Sequence, residues 1–370
     1  WPLLIIVTVI GGYDTPPAWL GGLVILVSLC LAHVTHTLVE DPLRQHRPRP
    51  RGDDHPVAAA RASLRTLPGA ARAVGGVLAA ALFAVALAVQ PYWDNRVDSA
   101  EKALDPVNYP GARAIQGVQV PDVKPQPDPN LIAGVFPPIG LDDCMIFLPE
   151  APDAMPGPDC TYGDLEADTT IVLAGGSHIE PFIVPLDKLG KEHHFKVATF
   201  VRQECPLVVG GPLDPANDIV SPECAEWGEN AMQEIINLQP DLLISTSTRP
   251  AGHAGDGRVS ADYVPDAYTN LWQRLAELGI PFVGLRDNPW MFTPTGEQMD
   301  PNLCIVAGYS EHDCSMAADM VYAPEDPAAY FLDGGYAQWE IDTAGWYCID
   351  GLCPPQIGNV YIYRDQNHIS

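Results

Sequence analysis

Thr169-Thr170-Ile171-Val172-Leu173-Ala174-Gly175-Gly176-Ser177-His178 is the stretch on which the reading of this chain turns. Its first six residues are β-branched or apolar, as in a strand buried on both faces, and two glycines then stop it. Gly175 and Gly176 let the backbone turn tightly and approach a substrate, which sets Ser177 at the carboxyl edge of a sheet beside backbone N–H groups. Ser177 can be read as the N-cap of a following helix, where serine is favoured, or as a nucleophile flanked by oxyanion donors.

A second stretch decides between them. Val360-Tyr361-Ile362-Tyr363 reads as another strand, and Asp365-Gln366-Asn367-His368 follows one residue later. An acid three residues before a histidine can reach back to Nδ1 and leave Nε2 facing a serine. Taken alone, His368 could be a surface histidine. With Ser177 it completes a nucleophile, a base and an orienting acid (Asp365), the set used by Ser-His-Asp hydrolases and acyltransferases. His178 adjoins the nucleophile and is expected to line the pocket, while His193-His194 reads as a solvated turn.

Working outward, strand-like runs occupy Thr169–Leu173, Phe195–Val201, Asp241–Thr246, Pro281–Leu285 and Val360–Tyr363. Helix-like segments at Ile179–Leu189, Ala225–Leu238 and Asp266–Leu278 intervene, their apolar residues at helical spacing. Strands alternating with helices predict an α/β domain whose mostly parallel sheet is covered on both faces. Such sheets gather active residues at the carboxyl ends of their strands, where Ser177, Thr246 to Arg249 and Asp365 to His368 all fall. Arg249 is expected either to meet a substrate carboxylate or polar sugar group, or to form a surface salt bridge.

The net charge of −27 is unevenly spread. Residues 1–90 hold seven Lys/Arg against five Asp/Glu, and residues 91–370 hold thirteen against forty-two. So acidic a domain is repelled by phosphate backbones, which argues against a nucleic-acid partner. Trp1 to Ile10, Trp19 to Val39 and Ala73 to Val89 are apolar, and the last two carry no charged residue, as membrane helices require. Seven arginines from Arg44 to Arg72 mark the loop between the second and third segments as cytoplasmic, which puts everything after about residue 90 outside the cell. A chain that starts at Trp1 and ends two residues after His368 reads as a piece of a longer protein. Three regions follow: transmembrane helices over 1–90, an extended Pro-rich linker over 91–140 and a globular exported domain over 141–370.

Eight of nine cysteines lie in the exported region, which suits disulfides in an oxidising compartment. Pairing between neighbours would join Cys144 to Cys160, Cys205 to Cys224, Cys304 to Cys314 and Cys348 to Cys353, one of about 105 possible connectivities. A zinc site at Cys348-x4-Cys353 is the rival reading. No second pair or nearby histidine completes it, so no metal is expected.

Leu38-Val39-Glu40-Asp41-Pro42-Leu43-Arg44 resembles the VE-x-P-x-R signature that ends the tenth helix of acyltransferase-3 membrane proteins. The exported half resembles the SGNH domain fused to many of them. The resemblance rests on Cys160-Thr161-Tyr162-Gly163-Asp164, Gly175-Gly176-Ser177-His178, Cys205-Pro206, Cys353-Pro354-Pro355 and Tyr363-Arg364-Asp365-Gln366-Asn367-His368. It implies an SGNH-hydrolase-like three-layer domain, preceded by membrane helices, that O-acylates a cell-surface glycan, peptidoglycan or glycolipid. The membrane part of such a protein would take an acyl group, with acetyl the expected one, from cytoplasmic acyl-CoA. The chain itself would carry no cofactor, and without the earlier membrane helices it would not carry out acyl-CoA-driven transfer alone. Ser177 would become acylated, with His368 as base, Asp365 as orienting acid and the Ser177 N–H as one oxyanion donor. The family's usual Gly-Asp-Ser here has Gly176 for the aspartate, and Gly210 (or Gly211) and Ser247 stand in the stretches of the other oxyanion blocks. An esterase with the same triad and a degenerate glycan-binding domain are the competing expectations.

Overall fold

The computed structural model describes residues 18–36, 76–77, 80, 83–85, 87–95, 104–210, 221–250 and 261–369. The chain divides into two compact units, Trp1–Ser99 and Ala100–Ser370. In the first, helix α1 spans Ala18–Thr35, and the described positions between 76 and 95 are helical. At 1.5 Å per residue α1 is about 27 Å long. Among the described residues no helix is long and apolar enough to cross a membrane. Trp1 to Ile10, the motif at 38–44 and the arginines from Arg44 to Arg72 lie outside the described residues.

The second unit is an α/β domain. Its main sheet holds β1 (Met145–Ile146), β2 (Thr161–Gly163), β3 (Thr169–Gly175), β4 (Phe195–Arg202), β5 (Leu242–Thr246), β6 (Phe282–Leu285) and β7 (Gln338–Ile341). The order is β1-β4-β3-β5-β6-β7, with β2 sharing the outer edge of β4. Every pairing is parallel except that of β2 with β4.

Alternation along β3 explains the layers. Leu173 faces α2 (Ile183–His193) together with Val197, Val201, Ile244 and Ile183. Val172 and Ala174 face the other way, onto Trp227, Met232, Leu271 and Leu275 of α3 (Pro222–Leu238) and α4 (Asp266–Leu278). Both faces are dry, and each buried large side chain is worth about 1.5–3 kcal/mol. Helix α3 starts where Ser221 accepts from the Cys224 N–H ahead of a first-turn proline, and α4 stops at Gly279 in the left-handed region.

Two expectations need correction here. Val360–Tyr363 is no strand of the main sheet: β9 (Val360–Tyr361) pairs antiparallel with β8 (Gln356–Ile357) in a separate hairpin. The parallel strand at that side is instead β7, whose alternating Gln-Trp-Glu-Ile lacks the apolar run that marks a buried strand. Of the stretch expected as an extended linker over 91–140, residues 91–95 are helical and residues 104–140 are folded onto the domain. Ile132 and Ile139 are fully buried, and Gln126 pairs with the hairpin through Gln126 N–H to Asn359 O (2.9 Å) and Tyr361 N–H to Gln126 O (2.9 Å). Its prolines deny it a ladder of its own, but its remaining N–H groups and apolar side chains find partners on the globular body.

All four neighbouring cysteine pairs are disulfides: Cys144–Cys160, Cys205–Cys224, Cys304–Cys314 and Cys348–Cys353. The last removes the ligands of the rival zinc reading. A third apolar cluster, with Trp290, Met291, Phe292, Met316 and Tyr363, packs the irregular segments that carry His368.

Candidate active site

Backbone geometry places Ser177, the expected nucleophile. Gly175 closes β3 at φ +148°, a conformation side chains rarely adopt, and the chain turns through Gly176 into Ser177. Among the described residues Ser177 caps no helix with its side chain. Its Oγ lies 2.7 Å from His368 Nε2, and His368 Nδ1 lies 2.7 Å from Asp365 Oδ2. Asp365 also accepts at Oδ1 from the N–H groups of Asn367 and His368, both at 2.9 Å. Burial alone would raise its pKa; the imidazole and these N–H groups outweigh that and hold it down to about 2. An ionised carboxylate can only accept, so the shared proton sits on Nδ1 and Nε2 is left to accept from the serine.

The loop bearing His368 is pinned from several sides. Asn288 Nδ2 donates to Asn367 O (2.7 Å), the Met291 N–H to Gln366 O (2.8 Å), and Asn302 Nδ2 to Tyr363 O (2.8 Å). Arg364 reaches Glu180 at 3.5 Å, with its guanidinium over Phe136, so the base loop is tied to the turn just after the nucleophile.

The triad opens on a cleft of about 560 Å³ whose wall includes His178, Glu204, Arg249, Tyr268, Asp287 and Trp290. These residues follow the carboxyl ends of β3, β4, β5 and β6 or lie on α4. Arg249 stands 5.8 Å from the Trp290 ring centroid and borders the cleft, and its backbone pairs with Tyr263. Among the described residues no partner takes the Ser177 N–H, which leaves it free for an oxyanion.

Two residues expected in the oxyanion hole lie elsewhere. Gly210 borders a different cleft, where its N–H donates to Glu229 Oε1 at 2.7 Å. Gly211 is outside the described residues. Ser247 is fully buried beneath the site: its N–H donates to Leu285 O, and its Oγ donates to Glu340 Oε1 at 2.5 Å. Burial, above all, pushes Glu340 up to about 9, with Asp326 and Asp342 adding to it, so this carboxyl holds a proton at neutral pH. Gly176 does stand in the cleft beside Ser177. A Cβ there would meet Cys205 and Pro206 backbone atoms at ordinary distances of 3.5 Å and more.

Sequence reasoning missed Asp287. It receives His178 Nδ1 at 2.8 Å on Oδ1 and Trp290 Nε1 at 3.3 Å on Oδ2, and its N–H donates to Thr248 Oγ1. The signal was available, since Asp287 lies just past the expected strand Pro281–Leu285, by the same logic that selected Ser177.

A serine hydrogen-bonded to a histidine that an ionised aspartate orients, at the carboxyl edge of a parallel sheet, defines a domain of ester-hydrolysing or acyl-transferring chemistry. Residues 144–370 match the family of SGNH domains fused to AT3 domains, and the chain belongs to that family. The periplasmic domain of the lipopolysaccharide acetyltransferase of Salmonella ser. Paratyphi A is similar in structure, with a TM-score of 0.38 and 13% identity. That alignment covers 56% of this chain and 80% of the other. No curated protein matches the chain. Its four disulfides belong to an oxidising compartment, extracellular or periplasmic.

Proposed function

We propose that the domain is an O-acyltransferase that passes an acyl group, acetyl by preference, through Ser177 to a hydroxyl of a cell-surface glycan, peptidoglycan or glycolipid. The connected Ser177–His368–Asp365 hydrogen bonds carry this reading. Residues 1–90 would be the last transmembrane helices of an AT3 domain whose full-length form draws the acyl group from acyl-CoA. The apolar segments, the arginines from Arg44 to Arg72 and the family's fusion to AT3 domains support that arrangement.

Ser177 attacks the acyl carbonyl while His368 Nε2 takes its proton, and the carbonyl oxygen gains charge beside the Ser177 N–H. Collapse expels the donor's leaving group, which receives the proton from His368. An acceptor hydroxyl then attacks the acyl-serine. Its oxygen bonds to the carbonyl carbon, its proton passes to His368, and the bond between that carbon and Ser177 Oγ breaks with return of the proton to Oγ. Water can replace the acceptor, so an esterase shares every residue and only acceptor preference separates the two.

The test is intact-mass spectrometry of the detergent-solubilised chain treated with 4-nitrophenyl acetate, beside its Ser177→Ala and His368→Ala variants. An acetyl adduct on the wild type that Ser177→Ala lacks, discharged faster by added polysaccharide than by water, is the expected result. Discharge indifferent to polysaccharide would favour the esterase. A folded protein with no adduct would overturn the acyl-serine route.

A further inference from the structure

We infer that His178, held by Asp287, positions the acceptor: its Nε2 accepts a hydrogen bond from a hydroxyl adjacent to the one that attacks the acyl-serine, so the acceptor presents a vicinal diol. The inference rests on the acyl-serine reading above.

Four observations carry it. His178 and Asp287 form a second imidazole–carboxylate pair at 2.8 Å, with side chains only 13% and 6% exposed. Asp287 also accepts from the Asn288 N–H at 2.9 Å and from Trp290 Nε1, while its backbone is fixed by Thr248 and by the Tyr322 hydroxyl. A carboxylate so surrounded by donors takes the Nδ1 proton as a hydrogen bond, which leaves the lone pair on Nε2. Nε2 has no partner among the described residues and is not among the buried unpartnered atoms, in a side chain that lines the catalytic cleft. Finally, the His178 ring lies edge-on to His368 with centroids 5.1 Å apart, and 5.1 Å from Trp290. Two neighbouring hydroxyls of one sugar ring can bridge two such imidazoles. One would give its proton to His368 Nε2 as it attacks, and the other would donate to His178 Nε2. Trp290 offers an apolar wall beside them.

His368 is the only base this scheme requires, so His178 is a positioning residue, and its effect falls on choice of acceptor. Water and simple alcohols have no second hydroxyl to offer it. The duller role for the pair, bracing the loop after β6, would leave that choice untouched.

The test uses the whole chain acetylated with 4-nitrophenyl acetate and offered cis-1,2-cyclohexanediol or cyclohexanol in competition with water. The readout is the ratio of diol ester to mono-alcohol ester, which does not depend on how much acyl-enzyme forms. The wild type should prefer the diol by about tenfold, the worth of one hydrogen bond. His178→Ala should bring the ratio down to about two, the statistical value for two equivalent hydroxyls. Asp287→Asn should move it the same way by releasing the tautomer, and His178→Gln, which keeps an acceptor, should recover part of it. Thermal melting followed by circular dichroism reports that each variant is folded. An unchanged ratio in His178→Ala and Asp287→Asn would overturn the inference. A wild type that forms no acetyl-serine would instead sink the underlying reading, and the mass spectrum tells the two failures apart.

Discussion

A Cβ placed on Gly175 would sit 3.3 Å from Ser245 Oγ in a backbone conformation that side chains rarely adopt, whereas one on Gly176 meets only ordinary contacts. The two adjacent glycines therefore differ in what they tolerate. Gly175→Ala should cost about 1–3 kcal/mol and displace Ser177, with a large loss of ester turnover. Gly176→Ala should stay within about 0.5 kcal/mol of the wild type and keep most of its turnover. Urea unfolding and turnover of an acetyl ester check both. The same scale shows why the triad was legible and the oxyanion donors were not. Ser177, His368 and Asp365 are joined through side chains, whose chemistry a sequence spells out. Oxyanion donors are often backbone N–H groups, which nearly every residue carries, so position alone points to Gly210 and Ser247, and the fold spends their N–H groups elsewhere.

Among elements, the turn after β3 and the segment after β9 must be held in register, although neither pairs with the other as strands. Arg364 and Glu180 supply that tie from inside the apolar body. Burial, the largest influence on Glu180, raises its pKa, and Arg364 pulls it back down. Removing Arg364 leaves a buried carboxyl without its countercharge, so Arg364→Ala should cost about 3 kcal/mol at neutral pH. Adding Glu180→Gln to it should recover part of that loss, a non-additivity that a double-mutant cycle in urea would measure. If the two changes simply add, the pair does not couple the motifs. Strands β3, β4, β5 and β6 and helix α4 were visible in the sequence because hydrophobic period alone specifies them. The hairpin β8–β9 imitates a buried strand, since Val-Tyr-Ile-Tyr is apolar enough for either, and only its partners tell them apart. Strand β7 hid for the opposite reason, its alternation being that of a half-exposed edge.

For the molecule as a whole, the protonated Glu340 of edge strand β7 makes stability depend on pH. Its folded pKa of about 9 stands above the ordinary 4.5, so between those values the folded state holds a proton the unfolded chain lacks. Its contribution is complete below about 4.5 and drains away as pH rises through about 9. Melting temperature should therefore fall from pH 5 to pH 9, and Glu340→Gln should flatten that slope and raise Tm at pH 8. A slope unchanged in the variant would assign the effect to other groups. Disulfides add a second whole-molecule term. Replacing Cys144 and Cys160 together by alanine should lower stability by about 2–4 kcal/mol, measured by urea unfolding without reductant. The four bonds have one further consequence. Each links cysteines consecutive along the chain, with separations of 16, 19, 10 and 5 residues. During export from amino to carboxyl end, each pair emerges before the first member of the next. An oxidant that joins each thiol to the last one still free therefore writes the native pattern in one pass, with no shuffling left for an isomerase to correct.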